Sequence, residues 1–168
     1  MSLSDLASIA IIVQGVFFII SIFLVWYQLR ENTNLTRAAN TQKLVEIATP
    51  FNFQLAQSRD LTKLWQQGPQ HFNDMDEIDR ERYFSLLTWW LMLHENIYHQ
   101  WRKKLVEQDT YLSWTQDLEY FIQRQRIHQH WTTLQVFFED SFAEHVMIII
   151  ERQTKETSIA TTNMPECV

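Results

Sequence analysis

An all-α fold is predicted for this chain, with an N-terminal transmembrane helix continuing into a cytosolic helical bundle. Three observations predict it. The stretch Ala7 to Tyr27 (ASIAIIVQGVFFIISIFLVWY) carries no charge and has about the ~20 residues that cross a hydrocarbon core as a helix. The chain holds only two glycines and three prolines, too few for the many tight reversals of an all-β fold. After the apolar run, hydrophobic side chains recur at helical spacing almost to the end.

The anchor comes first. No charged residue lies between Leu6 and Leu29. A cleaved signal peptide carries positive charge before its apolar run and small residues after it, whereas Asp5 precedes this run and Trp26-Tyr27 follow. The helix is therefore expected to be retained, with the two aromatics at headgroup level. All 14 Lys and Arg residues follow it, Arg30, Arg37 and Lys43 being nearest. That asymmetry places the N-terminus outside and the C-terminal domain in the cytoplasm of a single-pass plasma-membrane protein. Asn34-Leu35-Thr36 is then a chance match to a glycosylation sequon. Gln14 beside Gly15 is a candidate point of helix association, because an amide in hydrocarbon gains from a partner and glycine permits close approach. The alternative is a glutamine that faces lipid or bonds its own backbone.

The expected organisation is a membrane anchor over residues 1–29, a cytosolic helical domain over 30–152 and a disordered tail over 153–168. From Gln28 to Gln57 one stripe holds Leu35, Ala38, Ala39, Gln42 and Val45, and a second holds Leu44, Ile47, Ala48, Phe51 and Leu55. The phase passes Pro50 without a slip, which predicts one long helix kinked there, a break being the alternative. A short helix over Asp60–Gln67 is expected to stop at Gly68-Pro69, followed by a loop over residues 70–75.

The next helix starts near Asp74 or Asp76, with Glu77 and Asp79 suiting its positive end and Arg102-Lys103-Lys104 its negative end. Tyr83, Leu87, Trp90, His94, Ile97, Tyr98 and Trp101 share one face, while Trp89 and Met92 project elsewhere. Its centre, LLTWWLML, is apolar nearly all round and too short to span a bilayer, so this is the central helix or one with a second partner face. Thr110 or Asp109 caps a helix from Tyr111 to Gln123 carrying Leu112, Trp114, Leu118, Phe121 and Ile122. Another runs from Ile127 to Phe138, and Asp140 or Ser141 caps a last one through Ile150, with Phe142, Val146, Ile149 and Ile150 inward.

The formal charge of −6, without long runs of either sign, lacks the basic footprint of a nucleic-acid binder. The single cysteine, Cys167, excludes an intramolecular disulfide and a cysteine-based zinc site. His94-Glu95-Asn96-Ile97-Tyr98-His99 has histidines five apart, about 140° around a helix, where zinc-protease ligands are four apart on one face. No Glu has His three residues later, as di-iron bundles need, and no glycine-rich phosphate loop is available. His128 with His130, and Glu144 with His145, form no ligand cluster by themselves. No cofactor, metal or enzymatic activity is expected. What remains is His94, flanked by Glu95 on an aromatic face with Trp90, Tyr98 and Trp101. These are candidate ligand-binding or pH-sensing residues, or else a core histidine with one hydrogen bond.

At the membrane exit, Gln28-Leu29-Arg30-Glu31-Asn32-Thr33, then Arg37-Ala38-Ala39 and Gln42, together with Glu95-Asn96-Ile97-Tyr98 and Phe142, resemble a recurrent pattern. The pattern is that of a group of small uncharacterised bacterial membrane proteins with an N-terminal transmembrane helix and a cytosolic helical domain. The resemblance covers most of residues 10–150. That group often has glycine after the central helix, where Lys104 stands here. The resemblance implies a bacterial inner-membrane protein and nothing catalytic. The expected role is a membrane-anchored interaction or regulatory module, partnered by the bilayer and by a membrane protein or a second copy. The alternative is a tethered sensor that binds a small apolar ligand or titrates at His94.

Overall fold

The computed structural model describes residues 3–162, with side chains described for 11–156, and it is all-α. Helix α1 spans Leu3–Gln57, α2 Arg59–His71, α3 Glu77–Arg102, α4 Gln108–Arg124, α5 Trp131–Leu134 and α6 Asp140–Thr162. Pro50 stands inside α1 rather than at a break. By its internal contacts the chain divides into two units, residues 1–40 and 41–168. This division by contacts falls further along the chain than Arg30, where the charged residues begin. The reason is packing: Leu35, Ala38 and Ala39 are exposed, and among the described residues of α1 the first buried side chain is Leu44.

In the first unit every large apolar side chain from Ile11 to Leu29 is exposed, Ile11 and Ile19 each at 68%. Ser21, Thr33 and Thr36 each donate to the carbonyl one turn earlier, so their hydroxyls do not stay unpaired. The Arg30 guanidinium lies 5.7 Å from the ring centre of Trp26. One helix of this unit is thus long and apolar enough to cross a membrane.

In the second unit α3 is the central helix, and its all-round apolar centre serves two clusters. Tyr83, Leu87 and Leu91 enter one with Phe121, Ile127 and Phe142; Leu93 and Ile97 enter the other with Leu44, Ala48, Val106 and Tyr111. Of the two stripes expected on α1, Leu44, Ala48 and Phe51 of the second are buried although its Ile47 is exposed, while Gln42 and Val45 of the first stay exposed. Phe51 stacks on Trp89 at 4.7 Å and meets Trp65 edge-on at 5.2 Å, which gives off-face Trp89 its partner. Met92 remains half exposed.

Helix α2 does not stop at Gly68-Pro69. It continues to His71 with both residues buried. Gly68 is there because a Cβ would stand 2.6 and 2.8 Å from Cδ2 and Cζ of Tyr83, so the pair marks a close approach and not a turn. Pro69 has no N–H to bond the Trp65 carbonyl one turn earlier, and α2 runs only two residues beyond it. Ser58 caps α2 by accepting from the Leu61 N–H, and the expected loop becomes a single 3-10 turn, Phe72–Asp74. Of the two starts offered for α3, Asp76 is the cap: its Oδ1 accepts from the Asp79 N–H at 2.8 Å.

Helix α4 begins earlier than expected, after Glu107 and without a side-chain cap; Thr110 and Asp109 lie inside its first turn. Leu112 is exposed, and Tyr111 is buried instead. The helix expected over Ile127–Phe138 is broken into 3-10 turns at Ile127–Gln129 and Gln135–Phe137 around the one-turn α5. Arg126, at φ 51°, reverses the chain before it, and Phe138 is extended after it. Ile127, Trp131, Leu134 and Phe138 still face inward. Helix α6 passes Gln153, where a disordered tail was expected to begin, and continues to Thr162. Arg152 pairs with Glu119 at 2.6 Å and Gln153 donates to the Glu119 carbonyl, tying this stretch to α4. The rest of the expected tail, 163–168, lies outside the described residues.

Candidate functional site

His94 projects from α3 into the interior and is 2% exposed, yet it is not without a partner. Its Nε2 lies 3.2 Å from Oδ2 of Asp117 on α4, a carboxylate 44% exposed. The ring is held edge-on between two indoles, Trp90 and Trp114, each 5.7 Å away. Burial lowers its pKa below the usual 6.5, and the hydrogen bond and charge of Asp117 only partly oppose this. The neutral ring donating Nε2–H to Asp117 is the form that fits.

Outside this pair lies an open cleft of about 300 Å³, lined by Ala48 and Asn52 from α1, Trp90 from α3, and Ser113, Trp114 and Asp117 from α4. Trp90 is fixed from behind by Phe51 at 5.0 Å and Phe121 at 6.3 Å.

Glu95, although adjacent to His94, serves another corner. Its Oε1 accepts from the Glu139 N–H at 2.7 Å, satisfying an amide at the start of α6 where the helix dipole favours a carboxylate. His99 reaches Glu139 at 3.0 Å, and Arg102 donates to Ser141 at 2.8 Å. Tyr98 stacks on His145 at 4.9 Å, and Trp101 stacks on Tyr111 at 4.0 Å while its Nε1 donates to Gln108. The structure thus brings Trp90 and His94 together and sends Glu95 and Tyr98 toward α6 and Trp101 toward α4. The aromatic face is one stripe with three separate destinations.

Asp117, Trp114, Asn52 and Ser113 escaped the site expected from sequence. The signal for Asp117 was faint: it sits three residues after Trp114 and one before Leu118, an acid on the edge of an apolar stripe. Asn52 and Ser113 carry no sequence signal at all. In the first unit Gln14 and Gly15 both lie on the exposed surface, and nothing comes within 4 Å of a Cβ added at Gly15. Among the described residues no group of three or more His, Cys, Asp and Glu is arranged to hold a metal ion. No family model, curated protein or solved structure matches this chain.

Proposed function

We propose that this protein is a single-pass, membrane-anchored helical module that acts by binding a partner and not by chemistry. One observation carries the proposal: the large apolar side chains of residues 11–29 are all exposed, in a chain whose second unit packs two buried clusters. Surface of that kind is stable in lipid and aggregates in water. An anchor confines the helical domain beside other membrane proteins and raises their effective concentration without new contacts. The bacterial inner membrane is the proposed location, with the N-terminus outside and residues 41–168 in the cytoplasm, as the one-sided distribution of Lys and Arg supports. The partner is a membrane protein, or a second copy meeting through Gln14 and Gly15.

Flotation of the full chain with vesicles after alkaline extraction tests the anchor. Orientation is read by labelling Ser4→Cys and Thr157→Cys separately in a Cys167→Ser background. Outside reagent should reach position 4 alone. Labelling of position 157 from outside reverses the topology, and a chain that stays at the bottom of the gradient removes the anchor.

A second reading, a tethered sensor, is favoured by the buried His94 bonded to Asp117 behind an open cleft. Thermal stabilisation of the purified protein by a small ligand supports it, whereas co-purification of one stoichiometric membrane protein supports the module.

A further inference from the structure

We infer that the cleft beside His94 is a receptor for a small organic ammonium ion, with Asp117 as its counter-charge and the indoles of Trp90 and Trp114 as its walls. The inference needs only residues of the second unit. It stands or falls independently of whether residues 11–29 span a membrane.

Charge decides the class of ligand. Six residues line the cleft, and the only ionisable one is Asp117; no Lys or Arg faces it. His94 behind it is too buried to supply a compensating positive charge, since desolvation holds the ring neutral. Asp117 is therefore the one acidic group in the lining, and 44% of its side chain is still open to solvent. An anion is disfavoured there, and a purely apolar molecule strips water from the carboxylate oxygen that His94 does not bond.

Shape and orientation agree. The bond from His94 fixes one oxygen of Asp117, and a buried partner that cannot move holds the carboxylate in one rotamer. An ammonium or a quaternary methylammonium gains from the negative faces of indole rings, and tryptophan is the best of the aromatic residues for this. Asn52 and Ser113 add an amide and a hydroxyl at the rim for one polar substituent of the ligand. A volume of about 300 Å³ suits an amine of few carbons and is at the small end for ligand sites.

The test uses the full chain in maltoside detergent, with choline as the probe and its uncharged isostere 3,3-dimethylbutan-1-ol as the control, followed by tryptophan fluorescence. Choline should give a saturable change with Kd of about 1 mM or below, and the isostere should bind at least about tenfold more weakly. Asp117→Asn keeps an oxygen to accept from His94 and should weaken choline about tenfold or more. Ser113→Lys changes only an exposed rim position and should do the same by repulsion, which covers the case in which the first variant does not fold. No saturable response to choline, an equal response to the isostere, or undiminished binding in folded Asp117→Asn or Ser113→Lys each overturns the inference.

Discussion

The chain has two glycines, one in each unit, and they occupy opposite environments. A side chain at Gly15 would meet nothing within 4 Å, whereas one at Gly68 would collide with the ring of Tyr83. The same contrast runs through the apolar residues. Ile19 and Phe23 of α1 are more than half exposed, while Leu44, on the same helix, is 1% exposed. Identical chemistry is therefore used in two ways: as an exposed surface in residues 11–29, where no internal fit is required, and as a tightly fitted interior after residue 41. Substitutions should separate the two.

The largest effect is expected from charge in the first unit. Arginine at both Ile19 and Ile20 costs about 2.5–3.5 kcal/mol each at the centre of a bilayer. The double variant should leave the membrane fraction on alkaline extraction, yet the unfolding midpoint of the second unit, followed by near-ultraviolet circular dichroism, should stay within a degree or so. A joint loss of membrane retention and bundle stability would mean that the two regions are not separate in the way described.

Next comes the glycine pair. Gly68→Ala should destabilise by about 1–3 kcal/mol, the usual range for overpacking. The Tyr83 ring has no retreat, because its hydroxyl donates to Oε1 of buried Gln125 at 3.0 Å and Phe72 lies 6.0 Å from it. Burial also holds that phenol un-ionised, with its pKa raised above the usual 10. Gly15→Ala should be neutral or slightly favourable to helix stability. A loss of self-association in Gly15→Ala, read by crosslinking in membranes, sharpens the contrast by showing that Gly15 is reserved for a second chain.

The difference between the regions is also the difference between what could and could not be read from sequence. The long apolar helix and the central helix were legible because their signals are local: an uncharged run, and a face repeating through Tyr83, Leu87, His94 and Ile97 between Asp76 and Arg102. Pro50 was correctly passed over, since phase outlasts one missing hydrogen bond. Gly68-Pro69 misled because glycine and proline have two uses, and only the approach of Tyr83, a residue of another helix, says which applies here. A break between Gln123 and Ile127 was legible, and it falls at left-handed Arg126, but Ile127–Phe138 reads as one helix and is instead two 3-10 turns around the one-turn α5. The site was half legible. His94 stood out, but its partner is 23 residues away and the walls of its cleft come from three helices.

Acid should act on the second unit alone, since all six histidines of the chain follow residue 70. The pKa values of His94, His130 and His145 are lowered, in each case first by burial. Their folded forms are neutral, while the unfolded chain takes up protons as pH drops below the ordinary 6.5. Stability is therefore fully present above that value and declines as pH falls toward the lower folded pKa values. In urea titrations at pH 7.5 and 5.5, His94→Gln, whose amide still reaches Asp117, should lose less midpoint on acidification than the parent. An equal loss would place the acid sensitivity elsewhere, and any effect of pH on membrane retention would break the comparison.

The smallest effect concerns the end of α3, where Leu105 N–H donates to the Gln100 carbonyl at 2.9 Å and Lys104 N–H to that of Trp101 at 2.8 Å. These two bonds define a Schellman motif, whose left-handed position is usually glycine, and Lys104 occupies it at φ 59°. A residue with a Cβ in that region costs roughly 1–2 kcal/mol. Lys104→Gly removes that cost but returns about 0.5–1 kcal/mol through the greater freedom of the unfolded chain. The net expectation is a gain of at most about 1.5 kcal/mol, seen as a rise of a few degrees in Tm. Lys104→Ala keeps the Cβ and should gain nothing, so a rise in both variants would trace the effect to the lost charge and not to the backbone. Lysine is tolerated here because the two bonds, together with the buried Trp101–Tyr111 stack just before them, hold the reversal in place whatever residue stands at its crest.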